Sequence, residues 1–256
     1  MKNTTVIAVA VALLIGGIAG SAYAGYGNKG KGQNFRGGSN VAQMNVNYDM
    51  PSASDYVSLR PGVAVLPIEN MSEDEIDGLV FMREEEKLAR DVYTTLYEKW
   101  SLPIFSNIAQ SEQTHTEAVK NILDKYNLDD PVTDDLVGIF VNEALQNLYN
   151  DLTVQGMSSI EDALIVGATI EDLDISDLLV QLEKTDNQDI TFVYENLLRG
   201  SRNHLRAFIS LLERYNGNYA PQYITQDVYD EILSSQQETG MMGGSGAGGR
   251  GWGNRR

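Results

Sequence analysis

Residues 72–100 read SEDEIDGLVFMREEEKLARDVYTTLYEKW, and this stretch predicts the fold class. Ser72 followed three residues later by Glu75 is a capping box, which marks the start of a helix. Residues 73–100 contain no proline and a single glycine, Gly78, so little in the composition interrupts a helix of that length. Apolar side chains recur every three or four residues, as on one face of a helix. The stretch therefore predicts a long amphipathic helix.

The chain from residue 102 to residue 215 predicts four further helices. Their expected ranges are 103–126, 134–155, 159–184 and 189–215. A second capping box, Ser158 with Glu161, opens the helix at 159. Strand-like alternation is almost absent and the connections are short, so we predict an all-α protein in which long helices form a bundle.

The composition limits the possible function. The 256 residues include no cysteine, and 36 acidic against 19 basic side chains give a net charge of −17. The lack of cysteine excludes a disulfide scaffold, a thiol nucleophile and thiolate metal sites, so any metal must be held by oxygen and imidazole. The negative charge argues against nucleic acid or an anionic membrane surface as the main partner and favours cations.

Composition also divides the chain into four segments. Residues 1–24 combine Lys2, a short apolar run and a small-x-small motif, which predicts a cleaved signal peptide and export to the periplasm or beyond. An uncleaved anchor is the alternative, although the run is shorter than the roughly 20 residues that span a bilayer. Residues 25–60 and 236–256 are basic and rich in glycine, which predicts disordered tails around a helical domain at 61–235. We expect no membrane span after cleavage.

Polar side chains interrupt the predicted core face of the first helix. The face includes Met82 and Tyr93, and Glu86 lies where a core residue belongs. A neighbouring face through Glu85 is less continuous, so Glu86 is the preferred buried carboxylate, whereas Glu84 fits a solvated face.

Both histidines of the chain also lie on predicted core faces. Glu112 and His115, three residues apart, can direct carboxylate and imidazole to one cation or to two adjacent ones. His204 lies on the last helix, where the residue three positions earlier is Ser201, a weaker ligand. A core histidine held only by hydrogen bonds is the alternative interpretation for each.

The helix at 159–184 is ambiguous because two of its faces are apolar. Glu171 lies on one of them, one turn after Gly167, which leaves room for a close helix or a bulky ligand. A surface position in an acidic run is equally compatible with the pattern. Asp174 and Asp177 share this ambiguity.

Four stretches together resemble a known family. They are EEEKLARDVY (84–93), SEQTHTEAV (111–119), GATIEDLDISDLL (167–179) and LLRGSRNHLRAF (197–208). With them the chain resembles the uncharacterised bacterial and archaeal branch of the ferritin-like superfamily. The resemblance implies a four-helix bundle with an extra helix in the long connection, and a pair of metal ions held by five residues: Glu86, Glu112, His115, Glu171 and His204. Ser201 departs from the family pattern, which expects a glutamate there, and Asp174 is a candidate to replace it.

Such a ligand set suits iron best, with manganese or zinc as alternatives. Iron would permit oxygen or peroxide chemistry, so an iron-oxidising or peroxide-consuming activity is one expectation, and Tyr93, Tyr97 and Tyr194 are then candidate neighbours of the metal as well as core aromatics. A homodimer is compatible with the extra helix. The alternative function is a non-catalytic acidic helical module of the cell envelope with a degenerate metal site. An acidic calcium binder is a third interpretation that rests on charge alone.

Overall fold

The computed structural model describes residues 66–239. The predicted signal peptide, the predicted segment 25–60 and residues 240–256 of the predicted tail lie outside them. The described residues form six helices and no strand, which confirms the all-α prediction. The helices are α1 (Glu73–Trp100), α2 (Pro103–Lys125), α3 (Glu143–Gly156), α4 (Ile160–Lys184), α5 (Gln188–Arg214) and α6 (Gln226–Ser234). None of these helices has the length and apolarity needed to cross a membrane.

Side-chain caps mark the starts of α1, α3 and α4, and two of these starts differ from the predictions. The Ser72 and Glu75 capping box is present as predicted. The cap of α4, however, is Ser159, whose hydroxyl accepts from the Asp162 backbone N–H, so the predicted box at Ser158 is wrong by one residue. The third helix begins at residue 143 rather than 134, because the Asn142 side chain caps it. Helix α6 was not predicted.

The four longest helices surround one hydrophobic core. Helix α1 packs most closely on α2, and α4 packs most closely on α5; α1 also contacts α4, and α2 contacts α5. Helix α3 lies against α1 and α4. The core between them is filled by fully buried side chains such as Leu79, Val92, Ile122 and Leu205. Each buried side chain of this size contributes about 1.5–3 kcal/mol to folding, so the arrangement of the helices is determined mainly by this core.

Gly167 allows α4 and α5 to approach closely. A Cβ atom at this position would overlap the ring of Phe208, which is fully buried. That ring packs in turn on Tyr93, with 5.2 Å between ring centroids, and on Phe105, with 5.9 Å. The space predicted beside Gly167 is therefore filled by an aromatic side chain rather than by a ligand.

Residues 82–93 of α1 are buried on every side. One face meets the helical core, and the other meets the connection between α2 and α3. Glu84 lies on that outer face, where its carboxylate accepts hydrogen bonds from the Val141 N–H at 2.6 Å and the Asn142 N–H at 3.1 Å. The prediction that Glu84 lies on a solvated face is therefore wrong, because the connection folds over it.

A buried network of charged side chains holds the connection between α2 and α3 against α1. The ammonium of Lys87 lies 2.5 Å from Asp91 and donates to the Leu136 carbonyl at 2.8 Å, and both charged side chains are fully buried. Asp91 also accepts from the Gly138 N–H at 2.9 Å and from the Arg90 guanidinium at 2.9 Å. Residues 134–142 are thus held in an irregular conformation by charge-assisted hydrogen bonds instead of forming the predicted helix.

Candidate metal centre

The five predicted metal ligands meet at one level of the core. Helix α1 provides Glu86, α2 provides Glu112 and His115, α4 provides Glu171, and α5 provides His204. Each lies near the middle of its helix, and none is more than 2% exposed. The ambiguity over Glu171 is resolved, because the two apolar faces of α4 are both buried and its carboxylate points into the core.

Glu112 lies at the centre of the cluster. Its Oε2 atom is 2.7 Å from Nδ1 of His115, and its Oε1 atom is 2.7 Å from Nδ1 of His204. The two imidazole rings stack with their centroids 5.6 Å apart. One carboxylate therefore contacts both imidazoles, through different oxygens.

The other two carboxylates lie on opposite sides of this centre. Glu86 Oε2 is 3.2 Å from Nδ1 of His115, and Glu171 Oε2 is 3.4 Å from Nδ1 of His204. The ligand atoms form two groups, and within each group all atoms lie within 4.8 Å of one another. One group is Glu86, Glu112 and His115; the other is Glu112, Glu171 and His204. The two groups share Glu112.

Neighbouring side chains orient two of the ligands. The Tyr93 hydroxyl donates to Oε1 of Glu171 and lies 3.3 Å from the Gly167 carbonyl. Nε2 of His204 lies 3.0 Å from the Ser111 hydroxyl. The sequence pattern indicated Tyr93 but not Ser111, although Ser111 lies one turn before His115 on the same helix and could have been identified from that spacing.

Ser201 and Asp174 bind each other beside the cluster. The Ser201 hydroxyl donates to Oδ2 of Asp174, and also to the Leu197 carbonyl at 2.9 Å. Both residues are buried, and Asp174 belongs to neither group of ligand atoms. The structure thus brings together the serine that departs from the family pattern and the carboxylate predicted to replace the missing glutamate.

Several buried polar atoms in the cluster and beside it have no hydrogen-bond partner among the described residues. They are Oε1 of Glu86, Oε1 of Glu112, Oδ1 of Asp174 and Nδ1 of His204. The Glu112 and His204 atoms approach to 2.7 Å without the angles of a hydrogen bond. Because burying unpaired polar groups costs free energy, a set of such atoms converging on one place fits a cation as their common partner.

The charges of the cluster are interdependent. Burial raises the pKa of Glu86 to about 8, and the negative charge of Glu112 adds to this effect, although the nearby imidazole of His115 opposes it. Burial opposes ionisation of Glu112 as well, but the imidazoles of His115 and His204 lower its pKa. Burial acts to lower the histidine pKa values, yet the surrounding carboxylates raise both well above the usual range. The carboxylates and imidazoles of the cluster therefore partly compensate one another's charge.

Comparisons with known proteins place the whole cluster inside a matched domain. Residues 75–236 match a family described as an uncharacterised protein domain, DUF2202. An uncharacterised protein of Methanocaldococcus jannaschii, MJ0754, is 59% identical over 179 residues, which cover 70% of this chain and 97% of that protein. The crystal structure of the hypothetical protein MJ0754 has 60% sequence identity and a TM-score of 0.67, covering 68% of this chain and 99% of that one.

Proposed function

The chain belongs to the DUF2202 domain family, and from the buried cluster of this member we propose a ferritin-like four-helix protein that binds a pair of metal ions. The observation that carries the proposal is Glu112, whose two oxygens each lie 2.7 Å from a different imidazole. Two groups of three ligand residues share this carboxylate. Shared carboxylates of this kind, with Glu-x-x-His on a helix, are typical of di-metal carboxylate proteins.

Each side chain of the cluster has a separate task in this proposal. Glu112 would contribute to holding both cations, while Glu86 with His115 and Glu171 with His204 would supply the remaining ligands of the two groups. Tyr93 holds Glu171 through its hydroxyl, and Ser111 holds the ring of His204, so both ligands keep their direction when a cation binds. The surrounding apolar side chains keep bulk water away from the centre.

Iron is the metal that we propose, with manganese or zinc as alternatives, since carboxylate and imidazole are hard to borderline ligands. Bound iron would supply electrons for reaction with oxygen or peroxide, and an iron-oxidising or peroxide-consuming activity follows as part of the proposal. Asp174, which accepts a hydrogen bond from Ser201, is the additional carboxylate that we propose in place of the glutamate expected at position 201.

We propose that the protein acts outside the cytoplasm and that two copies can associate. The first proposal is supported by the signal-peptide pattern of residues 1–24. The second is supported by exposed apolar side chains on the connection before α3, including Leu136, Ile139 and Val141. A reporter fused after residue 24 and sedimentation of the purified protein would test them separately.

The alternative function, an acidic helical module without catalysis, is favoured by one observation. Ser201 and Asp174 already satisfy part of each other's hydrogen-bonding capacity, as expected for a site that has lost a ligand. The two functions differ in their response to metal, because ligands that bind only the folded state raise its stability. In the alternative, ferrous iron leaves the melting temperature unchanged.

Metal content after refolding tests the proposal directly. The full chain is refolded with ferrous iron without oxygen, dialysed and analysed for metal, and about two ions per chain are expected for a di-metal centre. The Glu112→Ala, His115→Ala double variant should lose the metal. The control is Glu98→Ala, Lys99→Ala, which truncates two exposed residues of α1. Equal metal content in the two double variants would refute the assignment of the centre.

A further inference from the structure

The segment before α1 contains an acceptor motif for carbohydrate. Asn70, Met71 and Ser72 form an Asn-x-Ser sequence without proline at the middle position, which is the motif for N-linked glycosylation in exported proteins. The chain has one other such sequence, at residues 3–5, and it lies in the predicted signal peptide, which cleavage removes. Because the motif is short and recurs by chance, the position of Asn70 in the structure decides whether it can be used.

The structure exposes Asn70 and anchors the residues on both sides of it. Residues 66–72 form an irregular segment, and the Asn70 side chain is exposed. On one side, the Glu69 carboxylate accepts from the Gln188 backbone N–H at 2.9 Å and from the Gln188 side-chain amide at 2.8 Å. On the other side, Ser72 caps α1. The Asn70 amide is therefore held at the surface.

The Asn70 side chain has no structural task of the kind that other asparagines have. The Asn142 and Asn187 side chains cap α3 and α5. The Asn203 side chain holds the backbone of Glu238 through two hydrogen bonds. Within residues 66–239, the Asn70 side chain makes no hydrogen bond. A sugar can therefore be attached to its amide without the loss of a contact that the fold needs.

An open cleft beside Asn70 has room for the first sugar. Its volume is about 470 Å³, and its wall combines the start of α1 with Glu183, Lys184 and Thr185 at the end of α4. Clefts of roughly 300–1,000 Å³ hold small molecules of drug size, so one sugar ring fits. The charged and hydroxyl groups of this wall can form hydrogen bonds with sugar hydroxyls.

We propose that Asn70 carries an N-linked oligosaccharide. In the transfer, Nδ2 of Asn70 forms a bond with the anomeric carbon of an oligosaccharide linked to a polyprenyl phosphate. The bond between that carbon and the phosphate oxygen breaks, and the amide proton passes to the phosphate that leaves. The inference rests on the proposed export but not on the metal centre, because Ser72 and Glu86 are separated by about 21 Å along α1 at 1.5 Å per residue.

The helix cap determines when the transfer occurs. In the folded protein, the Ser72 hydroxyl donates to the Glu75 carboxylate at 2.9 Å and accepts from the Glu75 N–H at 3.2 Å. The acceptor motif requires the hydroxyl at its third position, and the cap already occupies it. A chain that has just crossed the membrane and has not formed α1 presents this hydroxyl free, so the transfer precedes folding.

Mass spectrometry of the full chain isolated from the cells that make it is the first test. The peptide that contains Asn70 should exceed its sequence mass by a whole number of sugar units, and Asn70→Gln should lose the added mass. The matched control is Asn218→Gln, an exposed asparagine with alanine two positions later, which should keep it. An unmodified Asn70 peptide from a chain that begins at Gly25 would overturn the inference while export stands.

The same spectra identify a failure of export. A chain that retains residues 1–24 and has an unmodified Asn70 peptide refutes the proposed export and the inference together. Asn70→Gln should contain as much metal as the wild type, because Asn70 is remote from the five ligands. A loss of metal in this variant would contradict the separation of the two sites.

Three variants of the capping box separate the acceptor motif from the fold. Ser72→Thr keeps a hydroxyl at the third position and should keep the added mass, whereas Ser72→Ala should lose it. Glu75→Ala breaks the same capping box but leaves the motif intact, so it should keep the added mass. Added mass that persists in Ser72→Ala, or that disappears in Glu75→Ala, would contradict attachment through this motif.

Discussion

Replacing Asp91 with asparagine should destabilise the protein far more than the same change at an exposed pair of identical spacing. Asp91 accepts from the ammonium of Lys87 at 2.5 Å, and both side chains are fully buried. Asparagine keeps the shape but leaves the buried ammonium without a counter-charge, which typically costs about 3–5 kcal/mol. A loss of this size is a large part of the 5–15 kcal/mol that stabilises a typical domain.

The assay is urea unfolding followed by circular dichroism, with Asp124→Asn as the control. Lys120 and Asp124 have the same i,i+4 spacing on α2, but their side chains are 41% and 58% exposed, so the control should lose only about 0.3–0.5 kcal/mol. Lys87→Met combined with Asp91→Asn removes the unpaired charge and should be more stable than Asp91→Asn alone. A loss below about 1 kcal/mol in Asp91→Asn would refute the reasoning, as would a double variant less stable than the single one.

Three further changes test other parts of the structure. Gly167→Ala brings a Cβ atom against the Phe208 ring, so urea unfolding should show a loss of about 1–3 kcal/mol despite the better helix propensity of alanine. Ser201→Ala removes the hydroxyl that donates to buried Asp174 and should cost about 1–3 kcal/mol in the same assay. Burial acts to raise the pKa of Glu75, but hydrogen bonds from Thr185 and Ser72 lower it below its usual value in the folded protein. The ionised Glu75 side chain therefore stabilises the folded state above the unfolded pKa, and this stabilisation is lost as the pH falls through the folded pKa. Glu75→Gln should therefore lower the melting temperature at pH 7, by the equivalent of about 1 kcal/mol, but not at acidic pH below both values; an equal loss at both pH values would contradict this.

The helices could be predicted because their signals are local. The Ser72 and Glu75 box and the apolar spacing of α1 depend only on neighbouring residues, and the structure has both. The start of α3 could not be predicted in this way, because residues 134–142 are held by contacts with α1 that are about 50 positions away in sequence. Long-range charge contacts of this kind leave no periodic pattern in the sequence of the segment that they hold.

The candidate ligands could be predicted because metal-ligand residue types interrupt apolar faces. His115 and His204 were identified in this way, and the structure brings them within reach of one carboxylate. The same reasoning was wrong for Glu84 and undervalued Glu85, because it assumed that α1 has one buried face. Both residues are buried by elements whose position along α1 cannot be obtained from the pattern of α1 alone.

Because residues 82–93 are buried on every side, α1 fixes the positions of two separate sets of contacts relative to each other. Glu86 faces the candidate centre, while Lys87 and Asp91 face the connection on the other side of the same helix. Inserting or deleting one residue between them would turn everything beyond that point by about 100°, the rotation per residue of an α-helix. A substitution in this segment can therefore be compensated by a change in a neighbouring side chain. An insertion or deletion cannot, because no rotation or translation of the helix restores the contacts of both faces together.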